Sequence, residues 1–257
     1  MKSKFLRGDV PTLTAMVQGG TPDDVISLIG EATQMGADAY GIQTCRLAPA
    51  DQTPENYRRM FAAAKGLPTY VTHYRSYENQ GKTDEQLAEG MLEIADCGAT
   101  LVDVMGDIYA PHPDELCTDE EAVAKQKALI AEIHARGAEV LMSSHTFKYM
   151  SSARILEIAR AHQERGADIA KIVTHANSPE EEAEVLRAMA VLKRELKIPF
   201  LLLCGGVCRS VRRIGPMFGT CMWLCVPKHD AYATKVQPLI EEVKLVQKGF
   251  EERKNDA

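Results

Sequence analysis

Lys171 lies in the middle of an apolar segment, residues 169–173, where a charged side chain is costly to bury. An ammonium group in such a segment must be paired with an acidic partner, or its pKa must fall so that the amine becomes neutral. In the first case Lys171 is a structural residue held by a salt bridge. In the second case its neutral amine can attack a carbonyl carbon and form an imine. The second interpretation makes Lys171 a candidate catalytic residue.

Side chains alternate between the two faces of a strand, so the face that carries Lys171 also carries Val173 and His175. The same count at the ends of other apolar segments selects His73 and Arg75, then Asp103, Met105 and Asp107, then Ser143 and His145. A nucleophilic lysine beside an imidazole supplies electrophilic catalysis together with a general base that titrates near neutral pH. We therefore expect His145 to act with Lys171.

A repeated boundary organises the chain. A Gly-Ala pair occurs within residues 35–38, 97–100, 136–139 and 165–168. Each pair ends an amphipathic segment typical of a helix and precedes a short apolar run typical of a strand buried on both faces. With four further runs of this kind, the predicted strands are residues 11–18, 39–45, 68–75, 100–107, 138–145, 168–175, 199–204 and 217–226.

Helical patterns separate these runs, and the one after Thr21 begins with Pro22-Asp23, as expected of a capped helix. Strand–helix alternation without a linker-like break predicts one parallel α/β domain over residues 1–257. No Gly-x-Gly-x-x-Gly motif follows the first strand, which argues against a dinucleotide-binding fold. Eight strands favour a closed (β/α)8 TIM barrel, whose active site lies at the carboxyl ends of the strands.

Composition narrows the function classes. The chain has 257 residues, with 30 Lys and Arg against 36 Asp and Glu, and a net charge of −6. This balance, without a basic block, argues against nucleic acid as a partner. The sequence has no apolar stretch long enough for a membrane helix and no apolar signal-peptide core, so we expect a cytoplasmic protein. The Cys204/Cys208 and Cys221/Cys225 pairs are interpreted as buried small hydrophobic residues rather than metal ligands.

Four segments resemble the type I 3-dehydroquinate dehydratases. Residues 166–173 resemble that family's Schiff-base lysine strand, and residues 142–147 (Met-Ser-Ser-His-Thr-Phe) resemble its Ser-Tyr-His-Asp-Phe motif, which carries the catalytic histidine. Residues 72–76 are similar to its third-strand Thr-Phe-Arg-Ser segment, and residues 211–219 are similar to its late arginine-containing stretch. The order and approximate spacing match across nearly the whole chain.

The resemblance implies a Schiff-base lyase of the shikimate pathway that eliminates water from a cyclic β-hydroxy ketone, 3-dehydroquinate or a related keto acid. Lys171 would form the imine, and His145 would be the general acid/base. Arg212 would bind the substrate carboxylate, Arg75 would help to hold the polar ring, and Gln237 is a further substrate-binding candidate. The resemblance also implies a homodimer that acts on a small molecule, and we expect neither a cofactor nor a metal.

Several positions depart from the family pattern. The second-strand Glu-x-Arg is replaced by Gly-Ile-Gln43. The fourth-strand Glu that orients the histidine is replaced by Met105, and Asp103 and Asp107 are the candidates to substitute for it. His175 stands where the family usually has Met. We expect Gln43, Asp103 and His175 to face the substrate, with ring recognition that differs from strict dehydroquinate specificity.

Three other functions stay open at this point. A class I retro-aldol cleavage uses the same lysine and a similar base, and the sequence does not separate it from water loss. His73, His145 and His175, with an Asp of the fourth strand, could bind a divalent metal, as in metal-dependent barrel isomerases and aldolases. That function leaves the buried lysine unexplained. The third possibility is a non-catalytic relative that only binds a metabolite.

Overall fold

In the computed structural model, which describes residues 3–8, 10–207 and 209–255, eight parallel strands alternate with helices. The strands are β1 (Thr12–Val17), β2 (Ala39–Gln43), β3 (Thr69–Thr72), β4 (Leu101–Met105), β5 (Glu139–His145), β6 (Ile169–Ala176), β7 (Phe200–Gly206) and β8 (Met222–Cys225). They form one sheet in the order β7-β6-β5-β4-β3-β2-β1-β8.

The sheet curls into a nearly closed barrel. Its two end strands approach where the backbone N–H of Cys221 donates to the carbonyl of Phe200, 2.9 Å away. Each strand coincides with one of the predicted apolar runs. A strand that is covered by helices on one face and by side chains of the barrel interior on the other is shielded from water on both faces. The predicted TIM barrel is confirmed.

The helices are α1 (Pro22–Gln34), α2 (Pro54–Ala63), α3 (Asp84–Asp96), α4 (Glu120–Ala135), α5 (Ser152–Arg165), α6 (Pro179–Glu195), α7 (Val211–Ile214) and α8 (Ile240–Asn255). The predicted start after Thr21 is confirmed, since the Thr21 hydroxyl accepts from the N–H of Asp24. Gly166 ends α5 in the left-handed conformation, with φ of 101°. Within the described residues, no helix is long and apolar enough to cross a membrane.

Apolar side chains fill the lower part of the barrel. Leu101, Leu141, Ile169 and Leu201 belong to one buried cluster there, and Phe5 joins it. Phe5 meets the ring of Tyr70 edge-on, with ring centroids 6.4 Å apart. The segment before β1 is held by the carboxylate of Glu139, which accepts from the backbone N–H groups of Lys4 (2.7 Å) and Phe5 (3.1 Å). Phe5 therefore closes this end of the barrel.

Polar side chains begin above this apolar floor. Strand pairing sets Thr72 of β3 beside Asp103 of β4, and Ser143 of β5 beside both Met105 of β4 and Lys171 of β6. Side chains of paired residues in parallel strands point to the same face of the sheet. The pairing therefore brings polar groups from four strands into the upper part of the barrel.

Candidate active site

A cavity of about 480 Å³ opens at the carboxyl ends of the strands. The wall on the side of β3–β6 and the loops that follow these strands contributes Thr72, Tyr74, Arg75, Met105, Glu115, His145, Lys171 and His175. The opposite wall contributes Met16, Gln18, Gln43, Leu203, Arg212, Leu224, Thr234 and Gln237. This is the end of the barrel where the sequence predicts the active site.

Lys171 lines this cavity and is buried among polar partners. Its Nζ lies 2.8 Å from the hydroxyl of Tyr74, 2.9 Å from that of Tyr70 and 3.1 Å from Oδ2 of Asp103. Both tyrosine hydroxyls also donate to Oδ2 of Asp103, and the Ser143 hydroxyl donates to Oδ1. One lysine, one carboxylate and two phenols thus form a closed network at the base of the cavity.

The Asp103 carboxyl is ionised in this network. Complete burial acts to raise its pKa, but Lys171, His145 and hydrogen bonds from Ser143 and Tyr70 outweigh burial, and the pKa lies below its ordinary value. Lys171 therefore has an acidic partner, as in the first of the two interpretations that the sequence leaves open, and its surroundings are polar and not apolar. Asp103 is also fully buried below the cavity, so its partner is the lysine and not the substrate, in contrast to the sequence prediction.

His145 is held by a carboxylate that the sequence analysis did not identify. Oε2 of Glu115 lies 2.8 Å from Nδ1 of His145 and accepts from the backbone N–H of His145 at 2.7 Å. The substitutes suggested by the sequence, Asp103 and Asp107, make no hydrogen bond to His145 among the described residues. Glu115 therefore takes the place of the missing fourth-strand Glu, from a loop and not from the strand.

The loop that carries Glu115 is fixed by contacts along its backbone. The carbonyl of Glu115 accepts from the Ser144 hydroxyl at 2.6 Å. Gly106 leaves the necessary room, since a Cβ there would lie 2.4 Å from the same carbonyl. The buried guanidinium of Arg165 donates to the carbonyls of Gly106 (2.7 Å) and Cys117, at either end of the loop. These contacts place the Glu115 carboxylate beside His145 before any ligand binds.

The structure corrects the predicted inward face of β3. Tyr70, Thr72 and Tyr74 face the barrel interior, one residue out of phase with the predicted set, so the two tyrosines and not His73 reach the lysine. His73 is buried on the helix side, where its Nδ1 lies 2.8 Å from the Thr44 hydroxyl. Burial, reinforced by Lys82, lowers the pKa of His73 to about 3.

The metal alternative loses its ligand set, because His73 does not line the cavity that His145 and His175 share. Within the described residues no group of three His, Cys, Asp or Glu side chains could hold a metal ion. His175 itself has Nδ1 2.9 Å from the carbonyl of Thr146. Of the cysteines in the two pairs, Cys204 and Cys225 are buried and Cys221 is partly buried, while Cys208 lies outside the described residues.

Arg212 and Gln237 lie on the opposite wall with unmet polar groups. The Arg212 guanidinium is buried, and its Nε donates to the carbonyl of Cys204 at 2.8 Å. Among the described residues it has no ion-pair partner, and burial, with nearby Arg209, lowers its pKa to about 10. Oε1 of Gln237 is buried and has no hydrogen-bond partner in the part of the chain that the structure describes. The wall thus offers a cation and an acceptor to a ligand.

Arg75 lines the same cavity but is occupied by two carboxylates. Its guanidinium binds Asp84 through Nε (2.7 Å) and through a second nitrogen (2.9 Å), and binds Asp107 at 2.7 Å. These carboxylates in turn accept from the backbone N–H groups of Tyr109 and His112 in the loop before Glu115. The geometry favours a role in holding that loop over the predicted role in substrate binding.

Gln43 lies at the cavity with its acceptor already in use. Its Oε1 accepts from Nε2 of Gln18 and from Nε of Arg46 at 3.2 Å. Its amide N–H groups are therefore what it can present to a ligand. Arg46 turns outward, where it stacks 3.9 Å above the ring of Tyr77.

The fold and the strand-end lysine and histidine define a barrel with the residues for imine chemistry. The sequence profile described as Type I 3-dehydroquinase matches residues 14–244, and the chain belongs to this family.

Individual relatives agree with this assignment. The 3-dehydroquinate dehydratase of Klebsiella pneumoniae (strain MGH 78578) is 34% identical over 166 residues, which are 62% of this chain and 61% of the relative's length. The alignment therefore spans about three-fifths of that relative. The enzyme of Geobacillus thermodenitrificans is 29% identical over 257 residues, covering 96% of this chain and 93% of the relative. A crystal structure of 3-dehydroquinate dehydratase from Geobacillus kaustophilus matches the fold with a TM-score of 0.80 at 20% identity, covering 96% and 93% of the two chains.

Proposed function

We propose that the protein is a Schiff-base dehydratase that removes water from a cyclic β-hydroxy keto acid, 3-dehydroquinate or a close relative. The observation that carries the proposal is that Lys171 and His145 line one cavity with Arg212, whose guanidinium has no acidic partner among the described residues. Family membership supports the reaction class. The reaction needs an amine for the carbonyl, a base for the neighbouring carbon and a cation for the carboxylate, and each is present.

The proposed reaction runs in four steps. Lys171 attacks the ketone and, with loss of water, gives a protonated imine that withdraws electrons from the adjacent carbon. His145 removes a proton from that carbon to give an enamine. The enamine expels the β-hydroxyl, which leaves as water after it takes a proton from the His145 imidazolium. Water then hydrolyses the conjugated imine, which releases the enone and the lysine, so the net change is loss of one water.

Glu115 fits this scheme as a positioning residue for His145. A carboxylate on Nδ1 fixes the ring orientation and stabilises the imidazolium that forms when His145 takes up the proton. It also leaves Nε2 of the same ring as the nitrogen for proton transfer.

Arg212, Gln237, Gln43 and His175 would hold the substrate. A buried cation without an acidic partner is stabilised by a ligand carboxylate, and the unpaired Oε1 of Gln237 accepts from a ligand hydroxyl. The N–H groups of Gln43 suit an acceptor on the ring. A substrate with one carboxylate and several hydroxyl or carbonyl groups fits this pattern.

Borohydride trapping tests the proposal. Reduction in the presence of 3-dehydroquinate is expected to add the mass of the reduced adduct to the peptide that contains Lys171, and turnover without borohydride is expected to yield the enone. Lys171→Ala should abolish both. Lys125→Ala, at an exposed lysine, should change neither.

Other results would overturn the proposal. Ligand-induced thermal stabilisation without an imine or a product would indicate a non-catalytic binding protein. Cleavage of the carbon chain would indicate an aldolase. Metal-dependent turnover that survives Lys171→Ala would remove the imine from the mechanism.

The resemblance further supports a homodimer that acts on a small molecule, and we propose that it works in the cytoplasm without nucleic acid as a partner. Sedimentation equilibrium at several protein concentrations is expected to give twice the mass of the 28.3 kDa chain. A monomer at all concentrations would contradict the dimer and would leave the proposed reaction unaffected.

A further inference from the structure

We propose that Tyr74 and Asp103 carry the proton that imine formation requires, with Tyr74 donating it to the departing water. The inference rests on the proposed imine chemistry at Lys171 and assigns a second acid/base pair beside His145. It is based on the hydrogen-bond network around Lys171. Proton transfer between His145 and the substrate carbon does not involve this network.

The two tyrosines of the network differ in one respect. Each hydroxyl lies within hydrogen-bond distance of Nζ of Lys171, at 2.8 Å for Tyr74 and 2.9 Å for Tyr70, and each donates to Oδ2 of Asp103. Tyr74 lines the cavity, whereas Tyr70 is fully buried beneath it, against Phe5. Of the two, Tyr74 is the phenol that can reach a group attached to Nζ from the cavity side.

The ion pair explains how a charged lysine begins the reaction. An ammonium group has no lone pair, so Lys171 must first lose a proton, and the Asp103 carboxylate 3.1 Å away can accept it. The neutral amine then forms a C–N bond with the carbonyl carbon. A proton passes from the new ammonium nitrogen to the carbonyl oxygen, which gives a neutral carbinolamine.

Loss of water returns the proton. The Tyr74 hydroxyl donates to the carbinolamine oxygen as the C–O bond breaks, and Asp103 replaces the proton on Tyr74 through their hydrogen bond. The products are a protonated imine, one water and the Asp103 carboxylate. One ammonium proton leaves directly in the water, a second passes through Asp103 to replace the proton that Tyr74 gives to the water, the third stays on the imine, and the charge is unchanged. Asp103 ends as the counterion of the imine.

The surroundings keep Tyr74 in the form that this role needs. Burial and the nearby Asp103 carboxylate raise the pKa of the Tyr74 hydroxyl well above its ordinary value, so it keeps its proton at neutral pH. Tyr74 can therefore donate its proton only if Asp103 supplies another. The ring of Tyr74 meets the ring of His145 edge-on, with centroids 5.3 Å apart, which places the two acid/base groups side by side at one cavity.

Tyr74→Phe is the test, and Tyr70→Phe is its matched control. Each change removes one phenol and the same two hydrogen bonds, so a structural effect on the network is reproduced by the control. Imine formation with 3-dehydroquinate is followed by rapid mixing and borohydride quench, and the adduct is measured by mass spectrometry. We expect Tyr74→Phe to slow it by roughly 10²-fold, the lower end of general acid catalysis, and Tyr70→Phe by at least an order of magnitude less.

A second measurement needs no variant. Imine formation by the unaltered protein is expected to be slower in D2O than in H2O, because a proton passes from Tyr74 to the departing water in that step. Equal rates for the two variants, or no isotope effect in the unaltered protein, would overturn the role of Tyr74 while the imine mechanism stands. Absence of any adduct in the unaltered protein would overturn both.

Discussion

The two walls of the cavity handle charge in opposite ways. On the β3–β6 wall, the groups proposed to carry the chemistry have partners within the protein: Lys171 pairs with Asp103, and the ring of His145 is hydrogen-bonded to Glu115. On the opposite wall, Arg212 has no acidic partner among the described residues, and Oε1 of Gln237 has no hydrogen-bond donor. The second wall therefore has polar groups that a ligand can pair with, whereas the groups proposed to carry the chemistry on the first wall are already paired.

This difference separates proton transfer from binding. Paired groups exchange protons with little change in net charge, so the first wall can form and break an imine without solvent reorganisation. A buried cation without an acidic partner lowers the stability of the protein until an anion binds to it. A ligand carboxylate can therefore supply the partner that the second wall lacks. Substitutions on the first wall should lower kcat, and substitutions on the second should raise KM.

The largest effect is expected at His145. His145→Ala should lower kcat by about 10²–10⁴-fold, the usual contribution of a general acid/base. Borohydride should still trap the imine at Lys171, because the amine and its network remain. Steady-state kinetics and mass spectrometry measure the two quantities. The control is His175→Ala, and if this change has the larger effect on kcat, the general base is His175.

Arg212 and Arg75 allow a direct test of the difference between the walls. Arg212→Met removes a charged hydrogen bond to the ligand, worth about 1.5–3 kcal/mol, so kcat/KM should fall by about 10–150-fold. Its thermal stability should not fall, since an unpaired buried charge is replaced by an apolar side chain.

Arg75→Met is the counterpart and should show the reverse pattern. The change leaves Asp84 and Asp107 without their cation, so the free energy of unfolding should fall by about 1–3 kcal/mol. Denaturant unfolding and KM are measured on both variants. A larger loss of ligand affinity in Arg75→Met than in Arg212→Met would assign the carboxylate to Arg75.

Glu115→Gln should have a smaller effect. The amide can still accept from the backbone N–H of His145, but it does not stabilise an imidazolium, so kcat should fall by about tenfold, or 1.4 kcal/mol, with KM little changed. Glu115→Asp keeps the charge and is expected to recover less than the full rate, because the shorter side chain reaches His145 less well. Unchanged kcat in Glu115→Gln would show that the contact is structural only.

The smallest effect concerns acid stability. The pKa of Asp103 is lower in the folded protein than in the unfolded chain, so its contribution is present above the unfolded pKa of about 3.9 and is lost as pH falls through the folded value. The free energy of unfolding should therefore decrease as the pH falls below about 4. The Asp103→Asn, Lys171→Met double variant, which removes both charges, should lose part of this dependence. Urea unfolding between pH 3 and pH 6 measures it, and equal slopes would contradict the assignment.

The sequence predicts the barrel well because its signals are local. Each Gly-Ala boundary ends a helix and starts a buried strand within a few residues, and Gly166 before β6 shows this directly. Lys171 and His145 follow from alternation in strands of eight and seven residues. In β3 the predicted inward face is off by one residue, because the four residues Thr-Tyr-Val-Thr do not show which face is inward, and so the sequence selects His73 in place of Tyr70 and Tyr74.

Glu115 could not be found in this way, because its position depends on tertiary contacts. Its own φ is 44°, and its carbonyl is held by Ser144, almost thirty residues along the chain. A missing carboxylate at Met105, opposite a strand-end histidine, was the available signal. It indicated that a substitute exists without indicating which of the acidic residues in the loops supplies it.

Phe5 has a consequence for how the protein is handled in the laboratory. Its ring supports Tyr70, and Tyr70 touches Lys171, so a relay of two side chains runs from the closed end of the barrel to the amine. Removal of residues 3–6, or a peptide fused next to them, would weaken the packing of Phe5 on Tyr70 and so the support of Lys171. Residues 3–6 are therefore best kept intact when variants of the protein are made.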